Sequence, residues 1–183
     1  MRVWLTPDSA QHIVDHAQAE SPRECCGVLA GRGGDVREVI PVENISPTPQ
    51  TAFVMSPAGL ARALIGLGRR DLELVGFYHS HPQTPPIPSG RDVAESHYPA
   101  AAQLIISLKD GSPALAAWRL TPGEVERLDL FIQSTRPSDT DSEPLSLSGF
   151  QRVMVIVGGL TAAIIVIITA LSLLPPAPQL PLP

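Results

Sequence analysis

Two histidines one residue apart, His79 and His81, are followed eleven residues later by Asp92 in the run His79-Ser80-His81-Pro82 … Ser89-Gly90-Arg91-Asp92. On a β-strand, side chains at i and i+2 project to the same face, so both imidazoles can meet one ion. A third ligand has to come from elsewhere, and Asp92 lies past a loop long enough to fold back. Two nitrogens and one carboxylate oxygen leave the fourth tetrahedral position to solvent. That is the open coordination of a catalytic zinc site, in contrast to the four protein ligands of a structural one. Zinc of this kind lowers the pKa of water to about 7 and polarises a carbonyl. Hydrolysis then still needs a general base for the water proton and a proton for the leaving group. Glu24, Glu73 and Glu95 are carboxylates that could serve. Glu24, before the first buried strand, is the best placed, although residue type and spacing do not by themselves select it over the other two.

Several neighbouring features carry less. Ser89-x-x-Asp92 is also the pattern of a capping box at a helix start, and a cap there would aim Asp92. His12 and His16 are four apart on a helix, but Ile13 follows His12, so the acid of a His-Glu-x-x-His zinc helix is missing. His97 and Tyr98 read equally as groove lining and as surface. Cys25 and Cys26 are adjacent, point to opposite faces of a strand and form no disulfide framework. Zinc deaminase chemistry needs His-x-Glu with Pro-Cys-x-x-Cys, and the chain has neither.

The elements that must hold these groups can be read along residues 1–132. Thr6-Pro7 opens a helix as N-cap and first-turn proline, and Pro22 closes it. CCGVLAGR, VREVIPVE and TAFVMSP are β-type runs, and PAGLARALIGLGRR is helical by its three- and four-residue apolar spacing. LELVGFYHSHP is the histidine-bearing strand, and SGRDVAES a helical turn beyond the proline-rich loop. AQLIISLKD and PALAAWRLT are strands joined at Gly111, and EVERLDLFIQ is the last element. The expected class is α/β, a mixed β-sheet with helices packed on it.

Together these segments resemble the JAMM motif of the MPN+ metalloproteases, Glu…His-Ser-His-Pro-x6-Ser-x2-Asp, at every position. DHAQAESPRECCGVLAGR, LVGFYHSHP and AQLIISL are similar to that family's first helix and strand, its metal-bearing strand and the strand after it. The similarity covers roughly residues 1–130 and, with no long insertions, looks most like the small bacterial and archaeal members. The resemblance implies a JAB/MPN, cytidine-deaminase-like fold carrying one zinc on His79, His81 and Asp92. It implies Glu24 as the acid/base and Ser89 as a hydrogen-bond donor to the oxyanion. The reaction implied is hydrolysis of a peptide or isopeptide bond at the C-terminus of a ubiquitin-like or sulfur-carrier protein. Alternatives are a zinc-stabilised adaptor that binds such a partner without cutting, and an amide hydrolase for a small metabolite.

Composition bounds the surroundings. The net charge of −5 and a single lysine, Lys109, argue against a nucleic-acid partner. The N-terminal MRVWLTPDSAQ lacks an apolar stretch long enough for a signal peptide. Residues 133–152, including QSTRPSDTDSEPLSLSG, read as a flexible acidic linker. Residues 153–174, VMVIVGGLTAAIIVIITALSLL, carry no charge, and as a helix would span about 33 Å, enough to cross a bilayer. Residues 175–183 form a short proline-rich tail without charge. Arg136 and Arg152 precede the apolar run, so the positive-inside rule puts residues 1–132 on the cytoplasmic side of a single-pass membrane anchor. Nothing in the chain discloses its oligomeric state.

Overall fold

A computed structural model describes residues 1–134. The expected linker beyond that point, the apolar helix at 153–174 and the tail lie outside the described residues. Among the described residues no helix is long and apolar enough to cross a membrane.

The elements in chain order are β1 (Arg2–Leu5), α1 (Pro7–Glu20), β2 (Cys26–Arg32), β3 (Asp35–Val42), α2 (Pro57–Arg69), β4 (Glu73–His81), α3 (Gly90–Ala94), β5 (Ala102–Ser107), β6 (Ala114–Thr121) and β7 (Glu124–Ile132). The strands hydrogen-bond in the order β1-β3-β2-β4-β5-β6-β7 and close into a barrel. The sheet is mixed, as expected: β4 runs parallel to β5 and β1 parallel to β7, whereas β2 is antiparallel to both β3 and β4. Closure was not anticipated. It depends on β1, a four-residue strand too short to show a period, which pairs with β7 from Arg2↔Asp129 to Leu5↔Ile132 and touches β3 at Trp4↔Asp35.

Both long helices start as their sequences dictate. Thr6 Oγ1 accepts the Ser9 N–H at 3.0 Å and Ser56 Oγ that of Gly59 at 3.4 Å, each followed by a first-turn proline that needs no N–H partner. α1 buries Ala10, Ile13, Val14 and Ala17, a single stripe at i, i+3, i+4 and i+7, against Val3, Leu29, Tyr78, Leu104 and Ile106. α2 packs Ala63 against Val28, Val42 and Phe77. Leu29 and Tyr78 alternate with Val28 and Phe77 along their strands, so the two helices cover opposite faces of the sheet.

TAFVMSP does not become a strand. Its only ladder contact is the bridge Asn44↔Met55. The buried Asn44 amide takes over instead: Nδ2 donates to Glu24 O (2.8 Å) and Ala52 O (3.1 Å), and Oδ1 accepts from Ser46 N (2.9 Å) and Val54 N (3.0 Å). One side chain thus satisfies four backbone groups that a ladder would otherwise pair. Gly27, opposite Tyr78 in the β2–β4 ladder, serves close approach, because a Cβ there would sit 2.3 Å from the Tyr78 ring.

Candidate metal centre

β4 delivers the two histidines. Phe77, His79 and His81 share the α2 face of the strand, whereas Tyr78 and Ser80 point toward α1. The proline-rich loop then returns the chain so that α3 brings Asp92 to the same place. His79 Nε2 and His81 Nε2 are 3.1 Å apart, and Asp92 Oδ2 lies 3.6 Å from the first and 3.5 Å from the second. The two longer separations exceed ordinary hydrogen bonds. For a small tetrahedral ion with ligand bonds of 2.0–2.1 Å, neighbouring donors sit about 3.3 Å apart. The triangle fits that spacing, so the donor set is compatible with a metal ion, and the three residues form the candidate metal group among the described residues.

Orientation supports the fit. His81 Nδ1 is 2.9 Å from Pro85 O, a group that can only accept, so Nδ1 carries the proton and Nε2 turns its lone pair inward. His79 is buried and stacked on Phe53, ring centroids 4.4 Å apart at 23°, and its Nδ1 has no hydrogen-bond partner. On its Nδ1 side the ring is held by packing, while Nε2 faces His81 and Asp92. Asp92 is fixed by the capping box that the sequence suggested: Asp92 Oδ2 accepts the Ser89 N–H at 2.6 Å and Ser89 Oγ accepts the Asp92 N–H at 3.2 Å. The oxygen that caps α3 is the oxygen that faces the imidazoles.

The electrostatics follow from burial and proximity. Burial alone would raise the Asp92 carboxyl, but contact with the two imidazoles and the Ser89 N–H holds it far below the usual carboxylate range. Burial lowers His79. For His81 the same burial is outweighed by Asp92 and the Pro85 carbonyl, and its pKa rises.

Glu24 is the acid that the ladder brings to this face. Cys26 pairs with His79. One step further, Cys25 and Ser80 exchange Ser80 N to Cys25 O (3.0 Å) and Cys25 N to Ser80 Oγ (2.8 Å). The same register sets Glu24 beside His81, on its side of the sheet. Glu24 is only 7% exposed. Burial pushes its carboxyl up to about 7, with His81 and Arg91 pulling down and Asp92 pushing up. Glu73 is exposed at the far end of β4, roughly 20 Å away at strand rise. Glu95 is paired with Arg91 at 2.9 Å on α3.

Other residues that chemistry could have used are accounted for. The thiols of Cys25 and Cys26 are buried and pushed up to about 11 and about 12, which leaves them unreactive. His16 Nδ1 meets the Tyr78 hydroxyl at 2.9 Å and does not pair with His12 around a metal. His97 and Tyr98 both line a cavity of about 300 Å³ that adjoins Asp92 and is walled by Phe53, Met55 and Phe77. Sequence reasoning gave no role to Asn44, Phe53 or Ser80, because each acts through contacts with residues distant in the chain.

Residues 6–121 match the family described as prokaryotic homologs of the JAB domain. The chain belongs to this family. Among curated relatives, a desampylase of Haloferax volcanii is 33% identical over 139 residues, 72% of this chain and 97% of its own length. A probable TtuB-protein conjugate cleaving protease of Thermus thermophilus is 43% identical over 83 residues, 45% of this chain. That alignment spans only 55% of the Thermus protein. A solution structure of a Desulfitobacterium hafniense protein superposes with a TM-score of 0.67 at 28% identity, covering 74% of this chain and 95% of that one. The JAB fold accordingly occupies the described part of the chain, and its mixed sheet carries the His79–His81–Asp92 group.

Proposed function

We propose that this JAB-family protein is a zinc peptidase that hydrolyses a peptide or isopeptide bond at the C-terminus of a ubiquitin-like or sulfur-carrier protein, from a membrane anchor formed by residues 153–174. The observation that carries the reading is the triangle of donor atoms with edges of 3.1, 3.5 and 3.6 Å beside a carboxylate raised to about 7. His79, His81 and Asp92 would hold one zinc, which when bound acidifies water and polarises a carbonyl. Glu24 takes the proton of the attacking water and returns it to the leaving amine, a task suited to a carboxyl poised near neutrality. Ser89, exposed at the start of α3, donates its hydroxyl hydrogen to the developing oxyanion while its Oγ keeps the cap on Asp92. The cavity beside Asp92 accommodates an apolar side chain of the substrate tail. The names of the Haloferax and Thermus relatives agree with this substrate class.

The full-length chain is expected to carry about one zinc and to cleave the host's ubiquitin-like proteins bearing a C-terminal extension or conjugate, with products read by mass spectrometry. A chelator should abolish cleavage and zinc should restore it. Capture of such partners with no turnover, zinc present, would instead make the protein an adaptor. Ser89→Ala is expected to cost about 1 kcal/mol of stability through the lost cap. It should also lower kcat by about 10²-fold through the lost donor, with KM little changed. A kcat equal to wild type would remove Ser89 from the chemistry and leave it as a cap.

The anchor and its orientation rest on the uncharged run and on the arginines before it. The chain is expected in the membrane fraction after alkaline extraction, with residues 1–132 degraded by protease added from the cytoplasmic side. Release into the soluble fraction would remove the anchor from the reading.

A further inference from the structure

The loop between His81 and Ser89 reads PQTPPIP, and four of its seven residues are prolines without an N–H. Such a segment has few donors with which to bind its own carbonyls; it makes a local bond from Ile87 N–H to Pro85 O at 2.8 Å, and the rest of its shape is set by outside partners. Three consecutive carbonyls are each taken by a side chain of a different strand. Ser107 Oγ, at the end of β5, donates to Thr84 O at 2.7 Å. His81 Nδ1, at the end of β4, meets Pro85 O at 2.9 Å, and Trp118 Nε1, from β6, donates to Pro86 O at 2.9 Å. The middle carbonyl sets the tautomer and tilt of His81. The outer two bonds hold the peptide units on either side of it, and the same loop runs directly into the Ser89–Asp92 cap.

We propose that Ser107 and Trp118 are positioning residues of the metal centre, acting through the Thr84 and Pro86 carbonyls to orient His81 and to deliver Asp92. Neither side chain supplies a donor atom of the triangle. Trp118 lies 37 residues beyond His81 and its ring is covered by Arg127 at 5.9 Å, so nothing in its local sequence links it to the site. Trp118→Phe keeps an aromatic ring and removes one N–H, and Ser107→Ala removes one hydroxyl. Residues that orient a metal-binding histidine change metal affinity by about 10–100-fold when lost.

This inference rests on the zinc reading above, and one experiment separates the two. In the full-length chain, zinc affinity is measured by competition with a chromophoric chelator for wild type, Trp118→Phe, Ser107→Ala and the double variant. Ile13→Val in the α1 core serves as a comparator that loses stability without touching the loop. Each loop variant is expected to bind zinc about tenfold more weakly, with an altered visible band in the cobalt-loaded chain, and the comparator to match wild type. Affinities within twofold of wild type in all three loop variants overturn the proposal while leaving the zinc reading intact. An equal loss in Ile13→Val also overturns it, because the effect would then be one of stability. A wild-type chain that binds neither metal overturns both.

Discussion

Glu24→Gln is expected to lower kcat on a C-terminally extended ubiquitin-like substrate by about 10²–10⁴-fold while zinc content stays near that of wild type. The glutamine keeps the shape of the side chain, and the bonds that fix residue 24, from its N–H to Pro49 O (2.6 Å) and from Asn44 Nδ2 to its carbonyl (2.8 Å), use only its backbone atoms. What disappears is a carboxyl able to accept and return a proton. Unaltered cleavage by the variant would show that another group moves the proton. The same change should alter stability in the opposite sense. Burial raises the Glu24 pKa from about 4.5 unfolded to about 7 folded, so its contribution is most favourable below the unfolded value and is lost as pH rises through 7. At pH 8 the metal-free wild type therefore holds an ionised carboxylate in a place that disfavours it. Glu24→Gln should then be the more stable protein by on the order of 1–2 kcal/mol, after allowing for solvent at the mouth of the site. The difference should vanish below about pH 4.5. Urea titrations of both metal-free chains at pH 4 and pH 8 measure it, and a wild type as stable as the variant at pH 8 would contradict the raised pKa.

Asp92→Asn is expected to weaken zinc binding by on the order of 10²–10³-fold, the share of one ligand in a typical zinc site. The amide oxygen of the replacement can still accept the Ser89 N–H now bound at 2.6 Å, so the start of α3 should survive and the loss be confined to charge and ligation. Chelator competition on the purified chain reads the affinity, and circular dichroism checks the fold. Retention of wild-type affinity would mean that Asp92 is no ligand and that the carboxylate is present for its cap alone.

The parts of the site that could be read along the chain are those that local geometry dictates. His79 and His81 share a face because a strand has a period of two, and Ser89-x-x-Asp92 announces its cap because the bonds span three residues. Glu24 could not be preferred over Glu73 or Glu95 on those grounds. Its position follows from the pairing Cys26↔His79, a contact between residues 53 apart in the chain. The closed barrel was missed for a similar reason, since β1 gains its identity only by pairing with β7 at the other end of the domain. TAFVMSP has the composition of a strand and is held instead by the Asn44 side chain, a tertiary solution that composition does not register.

α3 has five residues, and a helix that short does not persist unaided. The imidazole pair therefore belongs to a wall built with the sheet, whereas the carboxylate arrives on a turn that needs outside support to stay wound. An ion gripped by both would stitch them together. Its departure would leave that turn to its cap and to the loop bonds alone, so the metal would act as a fastener of the site as well as its reagent.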